Sequence, residues 1–589
     1  MGKYVCFLMT KGRTVFLKHL WKYMKSYTAE TILGPLFKLL EAMFELFVPL
    51  VVADIIDKGI GNGDIGYIVG KFGILIALGL IGIVCSITAQ YFAARAAVGT
   101  TTKLRRALFD AVQKLSFSDL DRIGVPTLIT RLTGDLNTVQ NGVNLALRLL
   151  LRSPFVVFGA MVMAFTLDAK SALIFLAVIA VLSVVVFGIM LGSVPAYKKV
   201  QSELDSITGT TRENLTGARV IRAFRMEDDE QKKFASHNNE LNRRQQFAGQ
   251  ISALMNPLTF VILNAGIILL LYTSGLKVNT GELTTGEAVA LYNYMTQILV
   301  ELVKFASLII SISKAISCMN RIEEVLVTEP AMTFGENVPV EKAGTPAIEF
   351  RNVSLRYTSD ADPALTDISF SVNSGETVGI IGGTGCGKTS LVSLLPRFYD
   401  ASEGEVLIDG VNVREYPAKS LRNKFGYVLQ RASLFKGSIS ENLRWGKSDA
   451  SEAEMNEAIR SAQAADVIRA KENGLESAVE QNGRNFSGGQ RQRLTIARAL
   501  IRKPRILIFD DSASALDFAT DAALRRELAK LDYKPTTVIV SQRTSSIMHA
   551  DKIIVLDDGV LVGIGKHDEL LENCPVYREI YESQYKKEA

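Results

Sequence analysis

One eight-residue run could bind a nucleotide phosphate. It is a glycine, four further residues and then Gly-Lys-Thr, which is the phosphate-loop pattern. Residues 376–381 before it predict a strand and residues 388–398 after it predict a helix, so its backbone N–H groups could close around phosphate oxygens at a helix N-terminus. The alternative, a glycine-rich turn without a ligand, is disfavoured by this strand–loop–helix context. The run comprises Gly382, Gly383, Thr384, Gly385, Cys386, Gly387, Lys388 and Thr389.

Two side chains of this loop fit the binding of ATP with Mg²⁺. Lys388 would pair with the β- and γ-phosphates, and Thr389 would ligate the metal. Ser390, the next residue, is also expected to contact the nucleotide. A second apolar strand, residues 505–510, ends in Asp510, which is where a further Mg²⁺ ligand is expected. Cys386 is expected to be a loop residue, and a redox role for it is disfavoured.

A third segment, residues 485–493, carries a family resemblance. Ser487, Gly488, Gly489 and Gln490 resemble the signature of the ABC transporter ATPases, with Phe486 in place of the usual Leu. The likeness continues to residue 500, which a generic Gly-Gly turn at a helix start does not explain. In this family the signature binds the γ-phosphate of an ATP held by a second ATPase domain. The resemblance therefore implies a dimer with two ATPs between its ATPase domains.

Further positions match the same family. Tyr357 is similar to the aromatic residue that stacks on adenine, although a buried strand tyrosine is the plainer interpretation. Gln430 matches the glutamine that reaches Mg²⁺, and residues 514–517 resemble the loop that crosses to the opposite site. Upstream, residues 119–135 and 212–224 resemble the two intracellular loops of the exporter branch. The resemblance covers nearly the whole chain and implies a half-transporter fused to one ATPase domain.

Two positions depart from the family pattern, and both concern the γ-phosphate. The family places Glu directly after the strand-end Asp, where it polarises the attacking water, and here the residue is Asp511. The family also places His after a later strand, and here the residue is Gln542, which can hydrogen-bond but carries no charge. A softer departure lies at residues 479–483. Since Asp is one methylene shorter than Glu, about 1.5 Å of reach is lost, and such a misplacement can cost on the order of 10²-fold in rate.

Together these departures predict a degenerate site that binds ATP and hydrolyses it slowly. The pattern resembles one subunit of the heterodimeric bacterial multidrug exporters, in which a second half-transporter supplies the catalytic Glu and His. The intact signature of this chain would complete that partner's site. Two alternatives stay open: a homodimeric exporter of lipid or peptide with Asp511 as a working base, and an ATP-gated regulatory membrane subunit.

The first 330 residues predict six membrane spans. Residues 72–94, 171–197 and 245–276 contain no charged residue, and each run exceeds the ~20 residues needed to cross a bilayer. Weaker candidates cover residues 32–56, 139–167 and 287–313. The connections near 57–66, 168–170 and 277–286 are short, whereas those near 95–135 and 198–244 are long, basic and expected to continue the helices, with turns near 117–119 and 210–214.

Charge then sets the orientation. Because the long loops carry the excess of Lys and Arg, they and both chain ends are expected in the cytoplasm. We expect a plasma-membrane protein with a basic amphipathic segment at 1–28, a transmembrane domain at 29–327, a linker at 328–346 and an ABC ATP-binding domain at 347–589. The expected fold is thus an α-helical transmembrane domain followed by a C-terminal α/β P-loop ATPase domain.

Several charged residues fall within the predicted spans. Such groups are costly against lipid and usually face the protein interior. Mutual pairing is one interpretation, and a cavity for small hydrophobic or amphipathic substrates is the other; the sign of the substrate's charge does not follow from this mixture. The residues are Lys38, Glu41, Glu45, Arg148, Arg152, Glu301 and Lys304.

Composition excludes other classes of protein. The 589 residues are 48% hydrophobic and 22% charged, which is too apolar for a disordered chain and too charged for a purely membranous one. The net charge of +5 gives no support to nucleic-acid binding. The five cysteines lie far apart and offer neither a metal-site spacing nor a disulfide framework.

Overall fold

A computed structural model describes residues 20–340, 342, 344–358 and 361–585. The chain forms two compact units. The first consists of the residues up to Lys114 together with Val125–Thr328, and the second of Leu115–Gly124 together with Glu329–Ala589. Most of the basic segment predicted at residues 1–28 lies outside the described residues.

The first unit is helical, as its long apolar runs require, because in lipid a helix satisfies its own backbone polar groups. Single turns at Lys25–Tyr27, Ile55–Ile60 and Arg131–Asp135 connect longer helices. In chain order the helices before residue 330 are α1 (Thr28–Asp54), α2 (Ile65–Lys114), α3 (Phe117–Ile123), α4 (Val125–Thr130), α5 (Leu136–Leu149), α6 (Arg152–Leu167), α7 (Ala169–Thr216), α8 (Ala218–Ala223), α9 (Glu227–Ala253), α10 (Met255–Thr280) and α11 (Thr285–Val327).

Five helical stretches in the described part of the chain are long and apolar enough to cross a membrane. The sixth predicted span, α1, is 27 residues long, ~40 Å at 1.5 Å per residue, which is also enough. It is not among these five stretches because three charged residues, Lys38, Glu41 and Glu45, interrupt its apolar sequence. The 50 residues of α2 extend ~75 Å, more than twice the hydrocarbon thickness. The predicted continuation of the spans into the long loops is therefore confirmed. The five stretches are Ile65–Lys114, Val125–Leu167, Ala169–Thr216, Glu227–Thr280 and Thr285–Val327.

The turn predicted near residues 210–214 is wrong. These residues continue α7, and Thr210 is buried. The helix ends instead at Gly217, whose N–H donates to the carbonyl of Glu213. A second break follows α8, where Arg225 adopts a left-handed φ of 55°. Residues 210–214 contain no glycine or proline, so nothing in them disfavours the helix.

Four of the seven charged residues named for the spans form a chain of ion pairs, here called the ionic chain. Arg152 donates to Glu45 and to Glu301 at 2.6 Å each, and Lys304 lies 3.1 Å from Glu301. Ser153 also donates to Glu301 at 2.8 Å. The predicted mutual pairing is therefore present and joins α1, α6 and α11. Separately, Lys38 pairs with Glu41 at 2.6 Å within α1.

Glu301→Gln should destabilise the transmembrane unit. It removes the negative charge that faces Arg152, and both side chains are less than 10% exposed. Breaking one side of a buried pair costs about 3–5 kcal/mol, and we expect the lower end of this range because Glu45 still pairs with Arg152. Thermal unfolding in detergent would measure the loss, with the exposed Glu282 changed to Gln as the control. An unchanged midpoint would mean that the pair does not hold these helices together.

The second unit contains the predicted α/β domain. Short apolar runs bounded by turns form its strands, and the helices alternate with them. The strands are β1 (Ile348–Leu355), β2 (Leu365–Val372), β3 (Thr377–Gly382), β4 (Glu403–Ile408), β5 (Val411–Asn412), β6 (Phe425–Val428), β7 (Gly437–Ser438), β8 (Ala478–Val479), β9 (Ile506–Asp510), β10 (Thr536–Val540), β11 (Lys552–Asp557) and β12 (Val560–Gly565). The helices are α12 (Lys388–Leu394), α13 (Ala418–Asn423), α14 (Ile439–Arg444), α15 (Glu452–Ser461), α16 (Ala465–Arg469), α17 (Gly488–Leu500), α18 (Phe518–Leu528), α19 (His567–Asn573) and α20 (Pro575–Tyr585).

The main sheet has six strands in the order β12-β11-β3-β10-β9-β6. The strands from β11 to β6 run parallel, and β12 is an antiparallel edge. Every residue of β9 is buried, as expected for a parallel strand covered on both faces. Since the carboxyl ends of parallel strands meet at one edge, the residues that follow β3, β9 and β10 come together there.

Two sequence boundaries shift in the structure. The strand predicted at 376–381 is β3, one residue later at each end. The helix predicted at 388–398 ends at Leu394. Pro396 explains the early end, because a proline has no N–H to donate to the helix ladder, although Leu395 before it keeps helical backbone angles.

The short helix α3 stands where a turn near 117–119 is predicted. Ser116 caps it in a capping box with Asp119. Phe117 packs on Phe398 with ring centroids 4.7 Å apart, and the Tyr399 hydroxyl donates to Asp121 at 2.6 Å. These contacts place α3 in the second unit, although it lies in sequence between α2 and α4.

Candidate nucleotide-binding site

The phosphate loop links β3 to α12, and glycines determine its path. Gly385 and Gly387 have φ values of 87° and 91°, which disfavour other residue types. At Gly382 a Cβ would lie 2.1 Å from the carbonyl oxygen of Leu556. The loop therefore depends on glycine for close packing as well as for backbone conformation.

Lys388 lies inside this loop. It is 8% exposed, and its ammonium donates to the carbonyls of Gly382 at 2.9 Å and Gly383 at 2.5 Å. A buried cation held by backbone oxygens alongside glycine amides suits an anionic ligand. The arrangement fits the phosphates of ATP, with Thr384 and Cys386 in the same loop.

The predicted metal ligands meet at the edge of the main sheet. The Thr389 hydroxyl donates to Asp510 at 2.9 Å, joining the start of α12 to the end of β9. Asp510 is 2% exposed, and burial raises the pKa of its carboxyl. A hydroxyl beside a carboxylate is a hard oxygen donor set of the kind that Mg²⁺ prefers. These residues would hold the metal and let it neutralise phosphate charge.

Asp511 follows in a left-handed conformation with φ 45°. Its carboxylate accepts from the side-chain amides of Gln430 at 3.2 Å and Gln542 at 3.5 Å. The three residues come from the ends of three different strands, so the structure brings both departing positions together with the predicted Mg²⁺ glutamine. Burial raises the pKa of Asp511. A raised pKa moves this carboxyl toward that of an effective general base.

Tyr357 lies on the other side of the loop. It is 46% exposed, so the interpretation as a buried strand tyrosine is wrong. Its hydroxyl lies 2.8 Å from that of Ser390, and its ring meets Tyr399 edge-on at 5.0 Å. An exposed ring held by these two contacts is available for stacking on a nucleotide base.

Tyr357→Ala should weaken ATP binding by about tenfold to a hundredfold, since stacking of a base on an aromatic ring is worth about 1–3 kcal/mol. Equilibrium binding of a fluorescent ATP analogue to the full chain would measure the change. Tyr357→Phe is the matched control, because it keeps the ring and loses only the contact with Ser390. An equal loss in both variants would attribute the effect to the hydroxyl.

The signature residues begin α17. Ser487 and Gln490 form a capping box, with the Gln490 N–H 3.3 Å from the Ser487 hydroxyl and the Ser487 N–H 3.0 Å from the Gln490 side chain. A Cβ on Gly488 would meet no atom within 4 Å. Phe486, at the departing position, is 5% exposed and belongs to the core around α15 and α17. The phenyl ring therefore serves as a core side chain at that position.

Sequence reasoning missed Tyr427 as a neighbour of the metal position. This β6 residue donates its hydroxyl to Asp510 at 3.2 Å, and burial raises its pKa. No spacing links the two residues, since they lie 83 positions apart and meet only because β6 and β9 are adjacent.

Comparisons with known proteins agree with this architecture. Residues 31–302 match the family model described as the ABC transporter transmembrane region, and residues 365–514 match the model described as ABC transporter. An uncharacterized ABC transporter ATP-binding protein of Mycobacterium tuberculosis is 36% identical over 97% of this chain and 98% of its own length. A proposed multidrug export ATP-binding/permease protein of Bacillus subtilis is 31% identical over 97% of this chain and 98% of its own.

Two further matches extend the comparison. The ATP-dependent lipid A-core flippase of Escherichia coli K12 is 28% identical over 96% of this chain and 97% of its own length. A solved bacterial Atm1-family ABC exporter with ATP bound has the same fold, with a TM-score of 0.80 and 24% identity over 96% of this chain and 99% of that one. The chain therefore belongs to the ABC transporter family as an exporter half-transporter, a multi-pass membrane protein whose ATPase domain couples ATP hydrolysis to transport.

Proposed function

We propose that this chain is the degenerate-site half of a heterodimeric exporter of hydrophobic or amphipathic compounds. It would bind ATP at its own phosphate loop and lend its signature to the hydrolytic site of a second, different half-transporter. The observation that carries this proposal is the pair Asp511 and Gln542, which occupy the two positions that act on the γ-phosphate.

The geometry around Asp511 supports slow hydrolysis at this site. Its carboxylate is 8% exposed and accepts from two glutamine amides on the same oxygen. Its backbone N–H donates to the carbonyl of Val540 at 3.0 Å, which fixes the origin of the short side chain. A carboxylate held back in this way is poorly placed to polarise a water on the γ-phosphate.

The intact signature supports a role in the opposite site. Residues 487–490 keep the hydroxyl and amide groups at the start of α17, a helix of 13 residues. Helix N-termini bind phosphate through such groups. Closure of the two ATPase domains on ATP would then be transmitted to the spans through the long loops, which include α3.

Substrate class and location are part of the same proposal. Relatives named for multidrug export and for lipid A-core flipping suggest amphipathic cargo. The excess of Lys and Arg in the long loops supports a cytoplasmic ATPase domain, and we propose a plasma membrane as the location of the spans.

Co-purification tests the division of labour. The chain would be isolated from its native membrane with its interacting half-transporter, and the partner sequenced across its signature and strand-end acidic pair. We expect Asp-Glu, a His at the later strand and an altered signature in the partner. A partner with Asp-Asp, or brisk ATP hydrolysis by this chain purified alone, would overturn the proposal.

A homodimeric exporter with Asp511 as a working base is the second candidate. The position of Asp511 directly after the strand-end Asp510 favours it, since this is where the family places the carboxylate that polarises the attacking water. In that case the chain alone would hydrolyse ATP at an ordinary rate, and Asp511→Asn would abolish the activity.

A further inference from the structure

The ionic chain borders a cavity of about 480 Å³ between α1, α6 and α11. Three of its charged members, Glu45, Glu301 and Lys304, line this cavity together with the amides of Asn293 and Gln297. Apolar side chains, among them Val156, complete the lining. The cavity thus combines an apolar wall with two carboxylates, one ammonium, two amides and the hydroxyl of Thr296.

The four charges of the ionic chain are not equally exposed. Arg152 and Glu301 have side chains that are 9% and 5% exposed, so they form the buried centre. Glu45 and Lys304, at the two ends, are 43% and 51% exposed. Arg152 and Glu301 pair with each other, which offsets the cost of burying both charges. The exposed side chains at the two ends remain available to a ligand.

Both ends keep hydrogen-bonding capacity. Lys304 has three N–H donors and gives one to Glu301. Glu45 accepts from Arg152 through one of its two oxygens. In addition, the side-chain oxygen of Gln297 is buried and has no hydrogen-bond partner among the described residues. A buried acceptor without a partner is costly unless a ligand donates to it.

The signs of these charges select a ligand class. Glu45, Arg152, Glu301 and Lys304 sum to zero, and the ends have opposite sign. A lone cation or anion would leave a net charge in a low-dielectric cavity, which is expensive at membrane depth. A group that carries both charges pairs with both ends and leaves the cavity neutral.

We propose that this cavity binds a zwitterionic group of an amphipathic substrate, with its cation at Glu45 and its anion at Lys304. The inference rests on the proposed export function, since it names the substrate class of the same transmembrane region. A lipid headgroup and a water-soluble zwitterionic amphiphile share this chemistry.

The test uses the full chain with its co-purified partner in nanodiscs and three dansyl-labelled alkyl probes. The probes share one tail and end in an ammonium-sulfonate zwitterion, a trimethylammonium or a sulfonate. We expect the zwitterion to bind about tenfold more tightly than the other two, as the loss of one charged hydrogen bond implies. Equal affinities, or no binding, would overturn the inference.

Two variants locate each charge. Glu45→Gln should weaken binding of the zwitterionic and the cationic probe about tenfold. Binding of the anionic probe should stay unchanged, which also shows that the cavity is folded. Lys304→Met should weaken binding of the zwitterionic and the anionic probe and leave binding of the cationic probe unchanged. Lys58→Met, at an exposed lysine that does not line the cavity, is the matched control and should change the binding of none of the three probes. Variants that weaken all probes alike would contradict the assignment.

Nanodisc composition separates the two sources. If discs of phosphatidylcholine displace the zwitterionic probe and discs of phosphatidylglycerol do not, the ligand is a lipid headgroup. Equal binding in both discs identifies a soluble amphiphile. ATP hydrolysis by the same preparation is measured without probe, so a failure of the proposed function is distinguishable from a failure of this inference.

Discussion

Gly488→Asp is expected to lower ATP hydrolysis by the assembled transporter by about a hundredfold or more. The backbone N–H of residue 488 remains, but the new carboxylate repels the γ-phosphate and keeps it away from the donors of the signature; the loss of one such donor costs about 10²–10³ in rate. The chain itself should tolerate the change, because a Cβ at this position meets no atom within 4 Å. A negative charge in the first turn of α17 is also favourable to the helix.

The measurement is steady-state ATPase activity of the co-purified complex in nanodiscs. ATP binding to this chain's own phosphate loop should persist, since Gly488 lies outside it. Gly209→Asp is the matched control, because that glycine of α7 is equally free of neighbours. Unchanged hydrolysis in Gly488→Asp would show that residues 487–490 do not complete a working site.

Asp511→Glu combined with Gln542→His should raise ATP hydrolysis at this chain's own site by about a hundredfold. The longer carboxylate recovers about 1.5 Å of reach toward the attacking water, and a misplacement of about 1 Å can cost 10²-fold. Glu is less suited than Asp to the left-handed conformation at 511, so the variant should lose on the order of 1 kcal/mol of stability.

Single-turnover hydrolysis by the chain purified without its partner measures this gain. Asp511→Asn is the control, since it keeps the size of the side chain and removes its charge, and it should leave the slow rate of the unaltered chain as it is. If the unaltered chain is already fast and Asp511→Asn abolishes that rate, Asp511 is a working base and the homodimeric candidate is correct.

Much of the architecture could be predicted from local patterns. Charge-free runs longer than a bilayer predict spans regardless of what surrounds them, and the phosphate-loop spacing predicts its own strand–loop–helix setting. Local patterns of this kind locate the end of a helix less well. The break expected near Thr210 occurs at Gly217, where the low helix propensity of glycine favours the end of the helix.

The candidate site also has a part that local motifs predict and a part that they do not. Residues 382–390, Asp510 and the signature follow from short motifs, since each motif is contiguous and carries its own chemistry. The contacts of Asp511 with Gln430 and Gln542 do not, because those partners lie 81 and 31 residues away and meet only through the order of strands β6, β9 and β10.

The sequence by itself determined the membrane spans and the phosphate loop and, through the identities of Asp511 and Gln542, the prediction of a degenerate ATP site, because hydropathy, glycine spacing and residue identity act locally. Only the tertiary structure decided which charges pair within the spans. Arg152 meets partners 107 and 149 residues away, and the packing of α1, α6 and α11 selects them. Coulomb attraction acts between any opposite charges, so sequence lists the candidates and three-dimensional packing chooses among them.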